Sequence, residues 1–128
     1  MDNTNVLLYI ESRYKANRKR IINAVKNVLK QQSVASPVEV SIAIVGDRKM
    51  KTLNKKYRNL DKTTNVLSFP IAEGQPSVLP SDKIRLGDVV ISWPQVIREA
   101  SKEEVLVDDK IDELVKHGTM HLLGLHHE

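Results

Sequence analysis

All four histidines of this 128-residue chain lie in its last twelve positions, in the segment HGTMHLLGLHHE. His117 and His121 are four residues apart, so on a helix they project from one face, one turn apart. Two neutral imidazoles placed in this way can bind one divalent cation, with metal–nitrogen distances of about 2.0–2.1 Å for zinc. Gly124 is expected to end the helix and let the chain turn back towards the metal. We therefore predict a metal site formed by His117, His121 and His127.

Three imidazoles with a fourth position open to water form a catalytic rather than a structural zinc site. Such a site would lower the pKa of its bound water to about 7. Nickel, cobalt and copper also accept three histidines, so the pattern does not select one metal. His126 is a competing third ligand, and histidines also occur as ordinary core or surface residues.

The residue after His117 restricts which hydrolytic reactions such a metal site could catalyse. Metalloproteases with the pattern H-E-x-x-H carry a glutamate there as general base. In this chain that position is Gly118. Peptide hydrolysis by the usual route is therefore disfavoured. Phosphodiester cleavage, which depends more on a metal and on cations near the phosphate, remains open.

The charge distribution is uneven along the chain. Residues 1–64 contain 14 Lys and Arg against 5 Asp and Glu, and residues 65–128 contain 6 against 11. The basic first half predicts a polyanionic partner, most often a nucleic acid. Two solvated helix faces would explain the same pattern.

The chain has no cysteine, and it shows neither a leader peptide nor an apolar run of about 20 residues that could span a bilayer, so we expect a cytoplasmic protein.

Hydrophobic periodicity predicts the elements that must position these residues. Strands are expected at 5–10, 38–45, 65–69 and 86–92, and helices at 12–31, 47–57, 94–104 and 108–123. Ser12, Asp47 and either Asp108 or Asp109 are the predicted N-caps. The second helix should bury Met50, Leu53 and Tyr57, and the last helix Ile111, Leu114, Val115, Gly118 and Leu122. The expected fold is a single small α+β domain over 1–128, with one mixed sheet of about four strands packed against about four helices.

Three segments resemble a known family. HGTMHLLGLHH is similar to the pattern H-G-x-L-H-L-x-G-Y-D-H of the YbeY family, bacterial metal-dependent endoribonucleases. LNKKYRNLDKTTNVLSFP is similar to the family's N-x-x-Y-R-x-x-D-x-x-T-D-V-L-S-F-P segment, and LGDVVIS to its L-G-D-I-V-I-S strand. These segments occur in the family's order and span residues 53–127. Asn65, Leu125 and His126 depart from the pattern, and the change at His126 removes an aspartate that could orient a ligand.

The resemblance implies a zinc-dependent endoribonuclease specific for single strands, with one Zn²⁺ per chain held by His117, His121 and His127. It implies a role in 16S rRNA 3′-end processing and ribosome quality control. The partners would be rRNA and the small ribosomal subunit, with ribosomal proteins or assembly GTPases possible. Neither DNA nor a membrane is expected to bind. Arg58 matches a motif arginine regarded as essential in the family.

Arg58 suits a catalytic role because a guanidinium stays charged and can bind a phosphate through two parallel hydrogen bonds. A structural salt bridge with Asp61 or Asp88 is the alternative. Lys55 and Lys56 are candidate RNA-binding residues through salt-sensitive contacts to phosphates. Two other functions remain open: a non-catalytic ribosome assembly factor with a structural metal, and a metallohydrolase of another substrate.

Overall fold

The computed structural model describes residues 4–71, 77–78 and 83–125. The strands in these ranges are β1 (Thr4–Ile10), β2 (Val38–Val45), β3 (Val66–Pro70), β4 (Ser77–Val78) and β5 (Ile84–Ser92). The helices are α1 (Arg18–Gln31), α2 (Asp47–Arg58), α3 (Trp93–Glu103) and α4 (Val107–Leu122). The predicted α+β class is confirmed. The additional strand, β4, is only two residues long.

The strands form one mixed sheet in the order β1-β2-β5-β3, with β4 beside β5. The strands β1, β2 and β5 are parallel, whereas β3 and β4 run antiparallel to β5. Alternate residues of a strand face opposite sides of a sheet. In β5, Val89 and Ile91 contact one core cluster, and Val90 between them contacts another. Both faces of the central strands are therefore covered.

Helices pack unequally on the two faces. The larger core lies between the sheet and α1, α3 and α4, and includes Ile21, Val25, Leu29, Ile42, Ile44, Ile91, Val96, Ile111 and Val115. On the other face α2 packs through Met50 and Leu53 against Val45, Leu67, Val90 and Phe69. No helix in the described ranges is both long and apolar enough to cross a bilayer.

The start of α1 differs from the prediction. Ser12 is not an N-cap, because the helix begins at Arg18 and Asn17 caps it by accepting a 3.1 Å hydrogen bond from the Arg20 N–H. The preceding segment makes tertiary contacts instead of helical ones. Tyr14 stacks on Trp93 with ring centroids 5.4 Å apart. A local capping signal was overridden by packing between distant parts of the chain.

Two other predicted caps are also wrong. Gly46 occupies the N-cap position of α2, which makes Asp47 the first helical residue. The helix α4 follows an N-cap at Leu106 that makes no side-chain hydrogen bond. Asp108 and Asp109 lie inside its first turn, where their charges still favour the positive end of the helix dipole.

Candidate active site

The two helical histidines lie on the flank of α4, beside its buried face. Ile111, Leu114, Val115, Gly118 and Leu122 are all buried, as predicted. His117 is exposed and His121 is half-buried, with its Nε2 atom inside the protein surface. The two ring centroids are 4.4 Å apart, and the ring planes are tilted by 46°. The helix thus holds two imidazoles against each other, one turn apart.

The end of α4 turns the chain immediately after this pair. Gly124 adopts a left-handed conformation with φ of 81°. Its N–H donates to the His121 carbonyl at 2.9 Å, and the Leu125 N–H donates to the Met120 carbonyl at 3.0 Å. These two bonds form a Schellman motif, which glycine favours because it has no Cβ to clash. The predicted role of Gly124 as the helix stop is confirmed.

The donor set fits a divalent transition metal, because imidazole nitrogens are common ligands of such ions. His126 and His127 lie outside the described residues, so the predicted third ligand and its competitor stay predictions. Within 4–71, 77–78 and 83–125, no group of three or more His, Cys, Asp or Glu is placed to hold a metal. A site built on His117 and His121 therefore needs a donor from beyond those ranges or from water.

Gly118 packs α4 closely against the sheet. A Cβ atom at this position would lie 2.6 Å from Cγ1 of Val89 and 3.2 Å from Oγ of Ser68. Val89 is fully buried, so it has little room to move. A glutamate at position 118 would point into this contact and not towards the histidines. The packing at position 118 therefore disfavours the glutamate of the H-E-x-x-H pattern. This is a reason against peptidase chemistry that the sequence pattern alone did not supply.

The predicted catalytic arginine and RNA-binding lysines lie on α2. Lys55, Lys56 and Arg58 are exposed in its last two turns. Lys55 and Lys56 line a shallow surface depression with Arg48, Lys51, Thr52, Asn59 and Asp61. Since α2 and α4 pack on opposite faces of the sheet, the structure does not place these cations and the histidine pair on one face.

Strand β3 separates the two groups. On one side its Ser68 lies against Gly118 of α4, with the Ser68 hydroxyl 3.5 Å from the Gly118 carbonyl oxygen. On the other side the next residue, Phe69, packs edge-on against Tyr57 of α2 at 5.1 Å. Tyr57 was predicted to be buried, but it is 57% exposed. An extended substrate that contacts both α2 and α4 must therefore pass around β3.

The carboxylates considered as structural partners of Arg58 are paired with other cations. Asp61 lies 3.8 Å from the Lys51 ammonium, and Asp88 lies 3.1 Å from the Arg85 guanidinium. The structure shows no ion pair of Arg58 with either carboxylate in the part of the chain that it describes, and the Arg58 side chain is exposed.

Asn54, the first residue of the N-x-x-Y-R pattern, was given no role by the sequence reasoning, and it organises the segment after Arg58. Its side chain is 1% exposed and donates from Nδ2 to the Lys62 carbonyl at 2.8 Å. Its backbone carbonyl accepts from the Leu60 N–H at 3.3 Å. Asn54 follows the buried Met50 by four residues, so helical periodicity places it on the buried face. That spacing was the signal available in the sequence.

Asp47 joins three parts of the fold at the base of α2. Its Oδ1 accepts hydrogen bonds from Ser92, Thr63 and Gln95 at 2.9, 3.0 and 3.1 Å. Its Oδ2 lies 3.1 Å from the Arg98 guanidinium. Burial by itself would raise the pKa of Asp47, but these hydrogen bonds, that from Gln95 foremost, lower it below its ordinary value. The ionised carboxylate therefore stabilises the fold.

Replacing Asp47 with asparagine is expected to lower the free energy of unfolding by about 1–2 kcal/mol near neutral pH, because charge-assisted hydrogen bonds are lost. A carboxyl group with a lowered folded-state pKa stabilises the fold above its unfolded pKa, and this contribution disappears as pH falls through the folded value. The difference between Asp47→Asn and wild type should therefore shrink below about pH 4. Urea unfolding at several pH values measures it. Asp61→Asn, an exposed carboxylate, is the matched control, and an equal loss there would contradict the assignment.

Comparisons with known proteins agree with the sequence resemblance. The family model described as Endoribonuclease YbeY matches residues 5–128. The chain is 42% identical over 106 residues to the endoribonuclease YbeY of Roseiflexus castenholzii, covering 82% of this chain and 67% of that relative. It is 41% identical over 110 residues to that of Dehalococcoides mccartyi, covering 78% of this chain and 64% of the relative. The chain thus spans about two thirds of the length of these relatives.

A solved structure supports the fold independently. A solution structure of a protein from Thermotoga maritima aligns over 96% of this chain and 75% of that chain, with a TM-score of 0.58. The sequence identity is 21%, so this likeness concerns the arrangement of helices and strands alone.

Proposed function

This chain belongs to the YbeY family of endoribonucleases, and on that premise we propose that it is a metal-dependent hydrolase that cleaves single-stranded ribosomal RNA in the cytoplasm. Family membership supports the RNA-cleaving activity and its place in rRNA processing. The 16S 3′ end as substrate, the role in ribosome quality control and the contact with the small subunit are the finer parts of this proposal. The observation that carries it is the His117–His121 pair at the glycine-ended terminus of α4.

His117 and His121 would hold the metal, with His127 as the proposed third ligand. A bound Zn²⁺ supplies Lewis acidity and an acidified water at neutral pH. The protein's own contribution is to fix the two imidazoles. The close packing of Gly118 on Val89 sets the distance of α4 from the sheet, and the Schellman motif sets where the chain turns.

Arg58 is proposed to bind a phosphate of the RNA that flanks the cleaved bond, because the sheet lies between Arg58 and the histidine pair. A guanidinium offers two parallel N–H donors to phosphoryl oxygens. Because Arg58 and the histidines lie on either side of β3, we propose that the RNA passes around this strand. A path around the edge of the sheet suits an extended single strand better than a compact ligand.

Metal content measured beside cleavage of a single-stranded 16S rRNA 3′ fragment tests the proposal. Highly purified protein should cleave the fragment, lose activity on chelation and regain it with added Zn²⁺. Duplex RNA of the same sequence should be cleaved much more slowly. Cleavage that survives complete metal removal would contradict a catalytic metal and favour a structural one.

Replacing Arg58 with alanine is expected to lower cleavage by about 10- to 100-fold, since a charge-assisted contact to a flanking phosphate is lost. Metal content and stability should stay unchanged because the side chain is exposed. Arg58→Lys should restore part of the activity, as it keeps the charge without the paired donors. Lys102→Ala, an exposed cation on α3, is the matched control. Loss of metal or of folded protein in Arg58→Ala would show a structural role instead.

A further inference from the structure

The β1 end of one sheet face has no helix over it in the described part of the chain. In β1, Leu7 is 47% exposed and Tyr9 is 60% exposed. Their neighbours on β2 are Ser41 and Ala43, which are too small to cover them. The helix α2 lies farther along the same face, against Val45, Val90, Leu67 and Phe69. A groove therefore runs between the β1 edge and α2.

Two adjoining cavities form this groove. The larger, of about 680 Å³, is lined by Tyr9, Arg13, Arg48, Lys49 and Thr52 among others. The smaller, of about 370 Å³, extends to Tyr57 and Phe69. They share Ala43, Leu53 and Val90 as a common floor. The groove thus has an apolar floor and an exposed tyrosine towards each end, with Tyr57 57% exposed.

The charges along the groove favour an anionic occupant. Arg48 and Lys49 project from the first turn of α2, and Arg13 approaches from the other side. Glu11 also lines the groove, but its carboxylate accepts a 2.6 Å hydrogen bond from the Gly46 N–H and lies 3.5 Å from Arg13. Asp88 is paired with Arg85. The carboxylates are thus neutralised within the protein, whereas Arg48 and Lys49 face the opening.

We propose that this groove, which we call the β1–α2 groove, binds a single-stranded RNA segment upstream or downstream of the cleaved bond. Tyr9 and Tyr57 stack on unpaired bases, and Arg48 and Lys49 bind the phosphates. Apolar ring faces interleaved with cations suit single strands, because every base has a face that can stack, whereas paired bases are hidden. The assignment rests on the proposed function, since it names the path of that enzyme's RNA.

Fluorescence anisotropy with a labelled single-stranded RNA of about 12 nucleotides tests the groove separately from catalysis, in protein kept metal-free by chelation. We expect Tyr9→Ser to bind about 5- to 150-fold more weakly, the range that loss of one stacked base produces. Tyr9→Phe should bind as wild type does, because the ring is kept. Removing Arg48 and Lys49 together should reduce the slope of log affinity against log salt by about 0.7 for each lost phosphate contact.

Two variants remote from the groove serve as controls. Leu106→Ser removes a side chain that is 70% exposed ahead of α4, and Lys102→Gln removes an exposed cation of α3. Equal binding by wild type and Tyr9→Ser, or equal losses in the controls, would overturn the groove assignment. Wild-type protein that binds RNA through the groove but does not cleave it would refute the proposed function and leave the groove standing. If the protein cleaves RNA and all groove variants bind RNA as wild type does, the proposed function stands and the groove assignment is refuted.

Discussion

Replacing His121 with alanine is expected to lower RNA cleavage by at least about 100-fold and to abolish stoichiometric metal binding. The loss of an orienting partner of a ligand already costs about 10–100-fold in metal affinity or activity, and loss of the ligand itself should cost more. The fold should persist, because alanine is a strong helix former and His121 lies on the flank of α4, beside its buried stripe. Elemental analysis, circular dichroism and RNA cleavage are the measurements.

Lys116→Ala on the same helix is the matched control, since Lys116 is exposed and precedes the histidine pair. It should keep both metal and activity. His127→Ala extends the test to the proposed third ligand, and His126→Ala tests its competitor. Only one of these two should reproduce the effect of His121→Ala. If purified His121→Ala protein lost its metal and still cleaved RNA, the metal would be structural and the site of cleavage would lie elsewhere.

Replacing Gly118 with alanine is expected to destabilise the protein by about 1–3 kcal/mol, the usual cost of overpacking a core. The added Cβ would stand 2.6 Å from Val89 Cγ1 and 3.0 Å from Val89 Cγ2. On an exposed helix position the same change would stabilise by about 1 kcal/mol, because alanine is the better helix former. A fall in the free energy of unfolding would therefore show that close packing requires glycine at position 118, and a rise would show that it does not. Urea unfolding followed by circular dichroism measures it.

A double mutant with Val89, the residue that the added Cβ would contact, tests whether this contact causes the loss of stability. Val89→Ala should by itself destabilise the protein, because it opens a cavity in the core. In combination with Gly118→Ala it should cost less than the sum of the two single changes, since the new methyl group occupies the vacated space. Strict additivity would show that Gly118 is not held by Val89. RNA cleavage by Gly118→Ala should also fall, because any outward shift of α4 moves both histidines.

Regular patterns made much of the fold predictable. Alternating apolar residues located β2, the strand predicted at 86–92 matched the main part of β5, and helical spacing located α4, its buried stripe and the flank that carries His117 and His121. The N-caps were not predictable, because Tyr14 and Asp47 are committed to contacts with Trp93 and with Ser92 and Gln95. Such contacts join residues that are far apart in the sequence, so no local signal encodes them.

Buried polar groups were missed for the same reason. Lys110 is 5% exposed, and its ammonium lies 2.7 Å from Glu113, 3.0 Å from Glu103 and 3.5 Å from Glu99. Burial alone would lower the pKa of Lys110, but the carboxylates of Glu113 and Glu103 raise it, so the buried lysine stays charged. A lysine in an amphipathic helix ordinarily indicates solvent. Glu113 is its neighbour on α4, but only the packing of α3 on α4 brings Glu99 and Glu103 to it.

The sequence by itself determined the chemistry that is available. The spacing of the histidines, the glycine at 118 and the basic first half follow from residue order, because helical geometry is local. The tertiary structure decided how that chemistry is arranged. It placed Arg58 and the histidines on opposite faces of the sheet around β3, and it left a groove with exposed tyrosines beside α2. Which face an element covers depends on the crossing of the chain over the sheet, and that is set by packing between distant residues.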